Sequence, residues 1–409
     1  MRFRALNSKD FQIYTAGNFF AMNGIWINRV IIGWLGWELT GLASIVGLLS
    51  FLIFAPTVIA SPFFGVIIDR VNLKKFAIIT QSIIASTAFA LLILYYFNLL
   101  AILNLCLIAL VIGITTSADR STRMTLVPRI VEKDNIANAI AVHGINFNSA
   151  RLIGPALGGI LIDTVGFNLT IFINFLFFLC MPVALIMVNI RKREGKTQKK
   201  KNIFYEFLDG AKFAYNQPVI LKACILTALF SFCVRGAIEI LPAIAGGIYN
   251  QSAQGLGQML AGAGAGALVA ALYIASQRSN DPEKGVPLRV YVSSILGFLA
   301  LILLGYSNLL AIPYIDSWYF ALFAVFMIGF SMTINGIDLQ AVVQLELDDV
   351  YRGRVMSLWV VLVIGVAAFS AILMGLFADL VGIGTTLMFF SVLGFILFTI
   401  MLIFDNKKN

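Results

Sequence analysis

Residues 43–68 read ASIVGLLSFLIFAPTVIASPFFGVII, an unbroken run without a single charged side chain. A bilayer core of ~30 Å takes ~20 apolar residues of helix to cross, so this run is long enough to span it. Apolar stretches of the same kind recur from Phe11 nearly to Phe404, parted by short hydrophilic breaks, and no soluble core could bury so many. Composition agrees. The 409 residues are 60% hydrophobic and 12% charged, with a mean hydropathy of +0.93, whereas soluble domains carry roughly 25% charge. The chain reads as a multi-pass, all-α integral membrane protein.

Twelve spans are expected, near residues 11–37, 43–68, 76–97, 99–118, 137–163, 168–189, 218–247, 253–276, 287–307, 317–343, 353–380 and 384–404. Lys and Arg collect on the cytoplasmic side of a membrane, so their positions test the count. Arg2, Arg4 and Lys9 precede span 1. Arg70, Lys74 and Lys75 follow span 2, and Arg120, Arg123, Arg129 and Lys133 follow span 4. Further basic residues fill the breaks after spans 6, 8 and 10, and Lys407 and Lys408 end the chain. The opposite breaks, near Glu38, Asn98, Asp163, Asn250, Asp316 and Asp379, contain neither Lys nor Arg. Both termini are therefore expected in the cytoplasm.

On this reading the net charge of +9 is a topology signal rather than a sign of nucleic-acid binding. The stretch RKREGKTQKKKN at 191–202 divides the chain into an N-terminal bundle, 1–190, a basic linker, 191–216, and a C-terminal bundle, 217–409. The linker can touch anionic headgroups at ~1 kcal/mol per basic residue or simply join the halves. Cys106, Cys180, Cys224 and Cys233 lie inside apolar spans as small hydrophobes, without metal-ligand spacing. The N-terminus lacks a small-residue cleavage site and is expected to stay as span 1.

The halves repeat. A shift of 216 places Gly159-Ile-Leu-Ile-Asp163-Thr-Val165-Gly166 on Gly375-Leu-Phe-Ala-Asp379-Leu-Val381-Gly382. Two six-helix bundles in pseudo-twofold repeat are what a transporter needs to rock about a midplane site. Between spans 2 and 3 stands Gly65-Val-Ile-Ile-Asp69-Arg70, followed by Lys74-Lys75. This resembles the loop signature of the major facilitator superfamily. The physics is legible: Gly65 permits close approach of helices, and Asp69 can accept from the open amides at another helix start, the one near Arg352-Gly353-Arg354.

Other segments narrow the resemblance. Trp26-Ile-Asn-Arg29-Val-Ile-Ile-Gly33-Trp34, Arg123-Met-Thr-Leu-Val-Pro128 and Arg151-Leu-Ile-Gly154-Pro155-Ala-Leu-Gly158-Gly159 are similar to a bacterial branch that includes enterobactin exporters and drug-efflux proteins. So is Arg352-Gly353-Arg354-Val355-Met356-Ser357-Leu358. There are departures. Ser121 stands where relatives often have Pro, and His143 where Asn is usual. Ala150 takes the place of a glycine in the antiporter motif that ends in Gly154-Pro155 and Gly158-Gly159, so that motif alone does not carry proton antiport. Those small residues also serve plain helix packing.

Arg29, Arg151 and Arg235 interrupt spans away from their cytoplasmic ends, where a charge must face protein or water. They are candidates for substrate contact, with Trp26, Trp359 and Asn335 beside them; for Arg29 and Arg151 a shared structural role is the alternative. Glu239, one turn after Arg235, is either its ion-pair partner or a coupling carboxylate. Asp338 can take up a proton if burial favours its neutral form, or cap a helix. His143, the lone histidine, is a proton relay or a packing residue. Gly65, Asp69, Arg70, Arg123, Arg352 and Arg354 are the gating candidates. With one histidine, scattered cysteines and no phosphate loop, the chain offers no enzyme, metal or cofactor constellation, and energy must come from a gradient.

The resemblance implies alternating access in a bacterial cytoplasmic membrane, with proton-coupled export of a small anionic or amphipathic metabolite such as a siderophore. The alternatives are siderophore import, multidrug or macrolide efflux, and lysophospholipid flipping. The expected partners are an anionic small molecule, protons and the bilayer, but no nucleic acid, and the chain is expected to be a monomer.

Overall fold

The computed structural model describes residues 4–68, 71–191, 203–277, 285–307 and 316–406. Among the described residues every regular element is a helix. They are α1 (Lys9–Thr40), α2 (Ala43–Ile68), α3 (Leu73–Tyr96), α4 (Ile102–Leu126), α5 (Ile136–Met187), α6 (Ile203–Asn216), α7 (Pro218–Phe230), α8 (Gly236–Glu239), α9 (Leu241–Gly247), α10 (Ala253–Ser276), α11 (Leu288–Tyr306), α12 (Ser317–Leu345), α13 (Asp349–Val360), α14 (Val366–Val381) and α15 (Ile383–Asn406). Ten stretches of the described chain are long and apolar enough to cross a membrane, as a multi-pass protein requires. One of them, Lys133–Met187, contains a break: Gly166 has φ +77°, a backbone that only glycine adopts without strain.

The chain forms two compact units. Unit 1 comprises Met1–Leu39, Leu52–Lys199 and Ser252–Ala261; unit 2 comprises Thr40–Phe51, Lys200–Gln251 and Gly262–Asn409. In unit 1, α3 lies against both α4 and α5. Small residues set the spacing. A Cβ on Gly17 would stand 2.5 Å from Ala184 Cβ, and one on Gly24 3.0 Å from the Phe178 ring, so α1 lies close along the second part of α5. Phe11, Tyr14, Met181, Leu185 and Val127 close the core at one end, and Ile84, Ala85, Ala88 and Phe178 form a second cluster.

In unit 2, α11 packs on α12 and α15 around Phe298, which is fully buried and set against Phe395 and Phe398. Two wide turns of π-helix interrupt the long helices, at Ser231–Arg235 between α7 and α8 and at Val361–Gly365 between α13 and α14. Such turns free a carbonyl from the α ladder. Ser370 of α14 takes up one of them, its hydroxyl donating to the Phe232 carbonyl.

One sequence boundary needs correction. α4 runs on to Leu126, so Arg120 and Arg123 are helical rather than part of a break after residue 118. The basic side chains read as a loop marker, but Arg123 is buried and paired, which keeps the helix going. The second part of the stretch read as a linker is the helix α6, which packs on α13 through a Phe213–Tyr351 stack at 4.1 Å.

Candidate substrate and gating residues

The glycine motif of α5 works on two faces. Gly154 and Gly158, four apart, face α1: a Cβ on Gly154 would lie 2.6 Å from Trp26 Cβ, and one on Gly158 3.2 Å from Ile27 Cα. Pro155 and Gly159 face the first turns of α10 instead. With α1 and α5 this close, side chains on the two sides of the crossing come within electrostatic reach of one another. The Arg29 guanidinium stands 5.5 Å from the Trp26 ring and 5.4 Å from that of Phe54, and Phe147 of α5 meets Trp26 edge-on. Cation–π contacts of this kind orient a guanidinium. Arg151 of α5 lies close enough to Arg29 to repel it, and has no carboxylate partner among the described residues. Unit 1 thus holds two half-buried cations of like sign beside three aromatic faces.

A second polar cluster in unit 1 lies around the C-terminal part of α4. Arg123 Nε donates to Asp119 Oδ2 at 2.6 Å, Gln81 of α3 donates to Asp119 Oδ1 at 2.6 Å, and Arg123 Nη1 donates to Asn18 of α1. All four are buried, and Tyr14 Oη, Asn18 Nδ2, Gln81 Oε1 and Arg123 Nη2 have no hydrogen-bond partner among the described residues. His143 of α5 feels the charges of Asp119 and Arg123, and its Nδ1 is also unpartnered among the described residues. Arg123 is thus a member of a buried ion pair. Asp119, Gln81 and Asn18 were not singled out from the sequence, although the i,i+4 spacing of Asp119 and Arg123 was a signal for them.

In unit 2, Arg235 ends the first π turn, and its Nη2 lies 3.8 Å from where a Cβ on Gly336 of α12 would be. Glu239 ends α8 half-buried, and its carbonyl accepts from Ser50 Oγ at 3.1 Å. Asn335 of α12 accepts from Ser294 Oγ at 3.0 Å and donates to Ser293 Oγ and the Ser331 carbonyl. One turn later Asp338 receives both Nε and Nη2 of Arg289, at 2.5 and 2.9 Å. Trp359 is packed inside α13's surroundings and only 4% exposed. Arg354 pairs with Asp209 of α6 and lies over the Tyr351 ring, while Arg352 sits one turn into α13. Gly65 lies within α2; Asp69 and Arg70 fall outside the described residues.

A cavity of about 1040 Å³ lies elsewhere in unit 1 and is lined by Arg4, Asp10, Ile130, Glu132, Asp134 and Arg191 among others, none of them a site candidate.

Residues 2–408 match the family model described as transmembrane secretion effector. The staphyloferrin A transporter of Staphylococcus aureus is 23% identical over 97% of this chain and 96% of its own. The enterobactin exporter EntS of Citrobacter koseri is 24% identical over 76% and 71%, and macrolide efflux protein A of Streptococcus pyogenes 22% over 85% and 84%. Among solved structures the nucleoside transporter NupG superposes with a TM-score of 0.71, covering 96% of this chain and 98% of its own at 12% identity. These relatives and fold neighbours are membrane transporters rather than enzymes. The chain belongs to the transmembrane secretion effector family of the major facilitator superfamily, and it resembles that superfamily's siderophore and drug-efflux branch.

Proposed function

We propose that this protein is a twelve-helix secondary transporter of the bacterial cytoplasmic membrane, with both termini inside, that exports a small anionic siderophore in exchange for protons. The topology rests on the alternation of basic and base-free breaks, on the glycine break at Gly166, and on α1, a 32-residue helix with few charges. The observation that carries the substrate is the pair Arg29 and Arg151 beside Trp26, Phe54 and Phe147. Arg151, half-buried and without a carboxylate partner among the described residues, is relieved by a bound anion, and the planar forks of Arg151 and Arg29 match carboxylates and catecholates. The aromatic faces suit the ligand's apolar parts. Two relatives whose names mention siderophores support the same choice.

In purified protein, citrate-type or catecholate siderophores should raise the thermal transition, and Arg29→Gln or Arg151→Gln should remove most of that rise without unfolding the protein. Stabilisation by organic cations but not by siderophores would move the assignment to multidrug efflux, the reading favoured by the macrolide efflux relative. For coupling, Glu239 ranks above Asp338 because it lies deeper in its apolar span. In vesicles Glu239→Gln should keep counterflow and lose pH-driven accumulation; unchanged accumulation would point to another carboxylate.

A further inference from the structure

The two segments that repeat in sequence also repeat in what they touch. Asp379, in the last turn of α14, accepts the Ala43 amide at 2.7 Å and the Ser44 amide at 3.1 Å. Its two oxygens thereby serve two open amides in the first turn of α2, where a negative charge is favoured. Asp163 of α5, its equivalent under the shift of 216, accepts from Ser252 Oγ just ahead of α10, and that hydroxyl in turn accepts the Gln254 amide at 3.2 Å.

Beside each carboxylate the same helices cross with no side chain between them. A Cβ on Gly375 would stand 2.5 Å from the Ala43 carbonyl oxygen, and one on Gly159 2.7 Å from that of Ala253. From the other side, a Cβ on Gly47 would stand 2.3 Å from the Ala371 oxygen and one on Gly257 2.6 Å from that of Pro155. The correspondence is residue for residue: Gly159 and Pro155 map onto Gly375 and Ala371, while Ala253 and Gly257 map onto Ala43 and Gly47. After each aspartate the chain leaves its helix at a glycine of positive φ, +77° at Gly166 and +90° at Gly382. The α5–α10 crossing lies within unit 1 and the α14–α2 crossing within unit 2.

We propose that Asp163 and Asp379 are two copies of one latch, each bolting a glycine-lined helix crossing at the extracellular end and setting how readily the transporter opens outward. The assignment to the outer side rests on the topology proposed above, in which the breaks near Glu38, Asp163, Asn250 and Asp379 lack Lys and Arg. Both carboxylates are solvent-exposed, so the core does not require them. Their recurrence, with Ile-Leu-Ile before one and Leu-Phe-Ala before the other, places the shared requirement on the aspartate and the glycines. The copies are unequal: Asp379 holds two backbone amides and Asp163 one hydroxyl.

The test uses the full chain in lipid nanodiscs, with the four native cysteines replaced by serine. Spin labels go at Leu42→Cys with Leu380→Cys for one latch, and at Val165→Cys with Gln251→Cys for the other. Asp379→Ala should raise the ratio of long to short distances for the first pair about tenfold, and Asp163→Ala about threefold for the second. Those are the factors given by about 1.4 and 0.7 kcal/mol, ordinary net values for a hydrogen bond. Asp379→Asn, which keeps one accepting oxygen, should fall between and serves as the readout if the alanine variant loses monodispersity. Unchanged distances in a monodisperse Asp379 variant overturn the latch. The same cysteines should react with a membrane-impermeant maleimide on intact cells. Reaction only after permeabilisation overturns the topology, whereas outside reaction with unchanged distances overturns the latch alone.

Discussion

The shift of 216 that pairs the two latches also places Asp119 of α4 on Asn335 of α12, and the two positions solve one problem in opposite ways. Each is a buried polar side chain that ties its helix to the one before it, through Gln81 of α3 in the first case and Ser293 and Ser294 of α11 in the second. Asn335 is neutral, and its amide both donates and accepts within α11 and α12. Asp119 is charged, needs Arg123, and its network leaves Asn18 Nδ2, Gln81 Oε1 and Arg123 Nη2 without partners among the described residues. A buried polar network that closes on itself stiffens a helix pair, while one that does not is costly and is kept for something other than packing. The neutral copy is built to hold, and the charged copy to change.

The largest effect is expected at the charged copy. Asp119→Ala strands Arg123 as a buried, unpaired charge and should cost about 3–5 kcal/mol, read as loss of monodisperse protein or a steep fall in thermal transition. Asp119→Ala with Arg123→Leu should recover much of it, because no charge is then stranded. Tolerance of the single variant equal to that of Asn335→Ala would break the comparison. Asp338→Ala comes next, at about 2 kcal/mol: two hydrogen bonds to a charge are lost, but Arg289 is about a third exposed and can turn to water. Asn335→Ala should cost about 1–2 kcal/mol, the ordinary result of leaving hydroxyl partners unsatisfied. Asp209→Ala sets the floor, below about 1 kcal/mol in the same assay, since the Asp209 side chain is 48% exposed where it meets Arg354.

What the sequence made legible follows from the kind of signal each region carries. Apolar runs bounded by turn residues gave α2 and α10 to the residue, and the pause between 163 and 168 matches the break at Gly166. The C-terminal end of α4 was misread because Arg120 and Arg123 look like loop charges until Asp119 and Asn18 are seen to receive the second of them. α6 was hidden by the basic stretch ahead of it, although its Phe207, Ala211 and Ala214 recur at helical spacing. In the candidate site, the closeness of Arg29 and Arg151 could not be read from positions more than a hundred residues apart. It depends on Gly154 and Gly158 bringing α1 and α5 together, and the motif gave no sign of which face each glycine would use.

The π turn at Val361–Gly365 acts as a built-in frameshift. A wide turn adds one residue to the helix, so everything after it is rotated by about 100° relative to an uninterrupted α-helix. Ala371 and Gly375 reach the Gly47 and Ala43 backbone only in that rotated frame. Deleting one residue from the turn would restore regular winding, leave every later side chain in place along the sequence, and aim the small-residue face away from α2. The geometry of one end of the helix is thus set by a single extra residue, inserted more than a turn away.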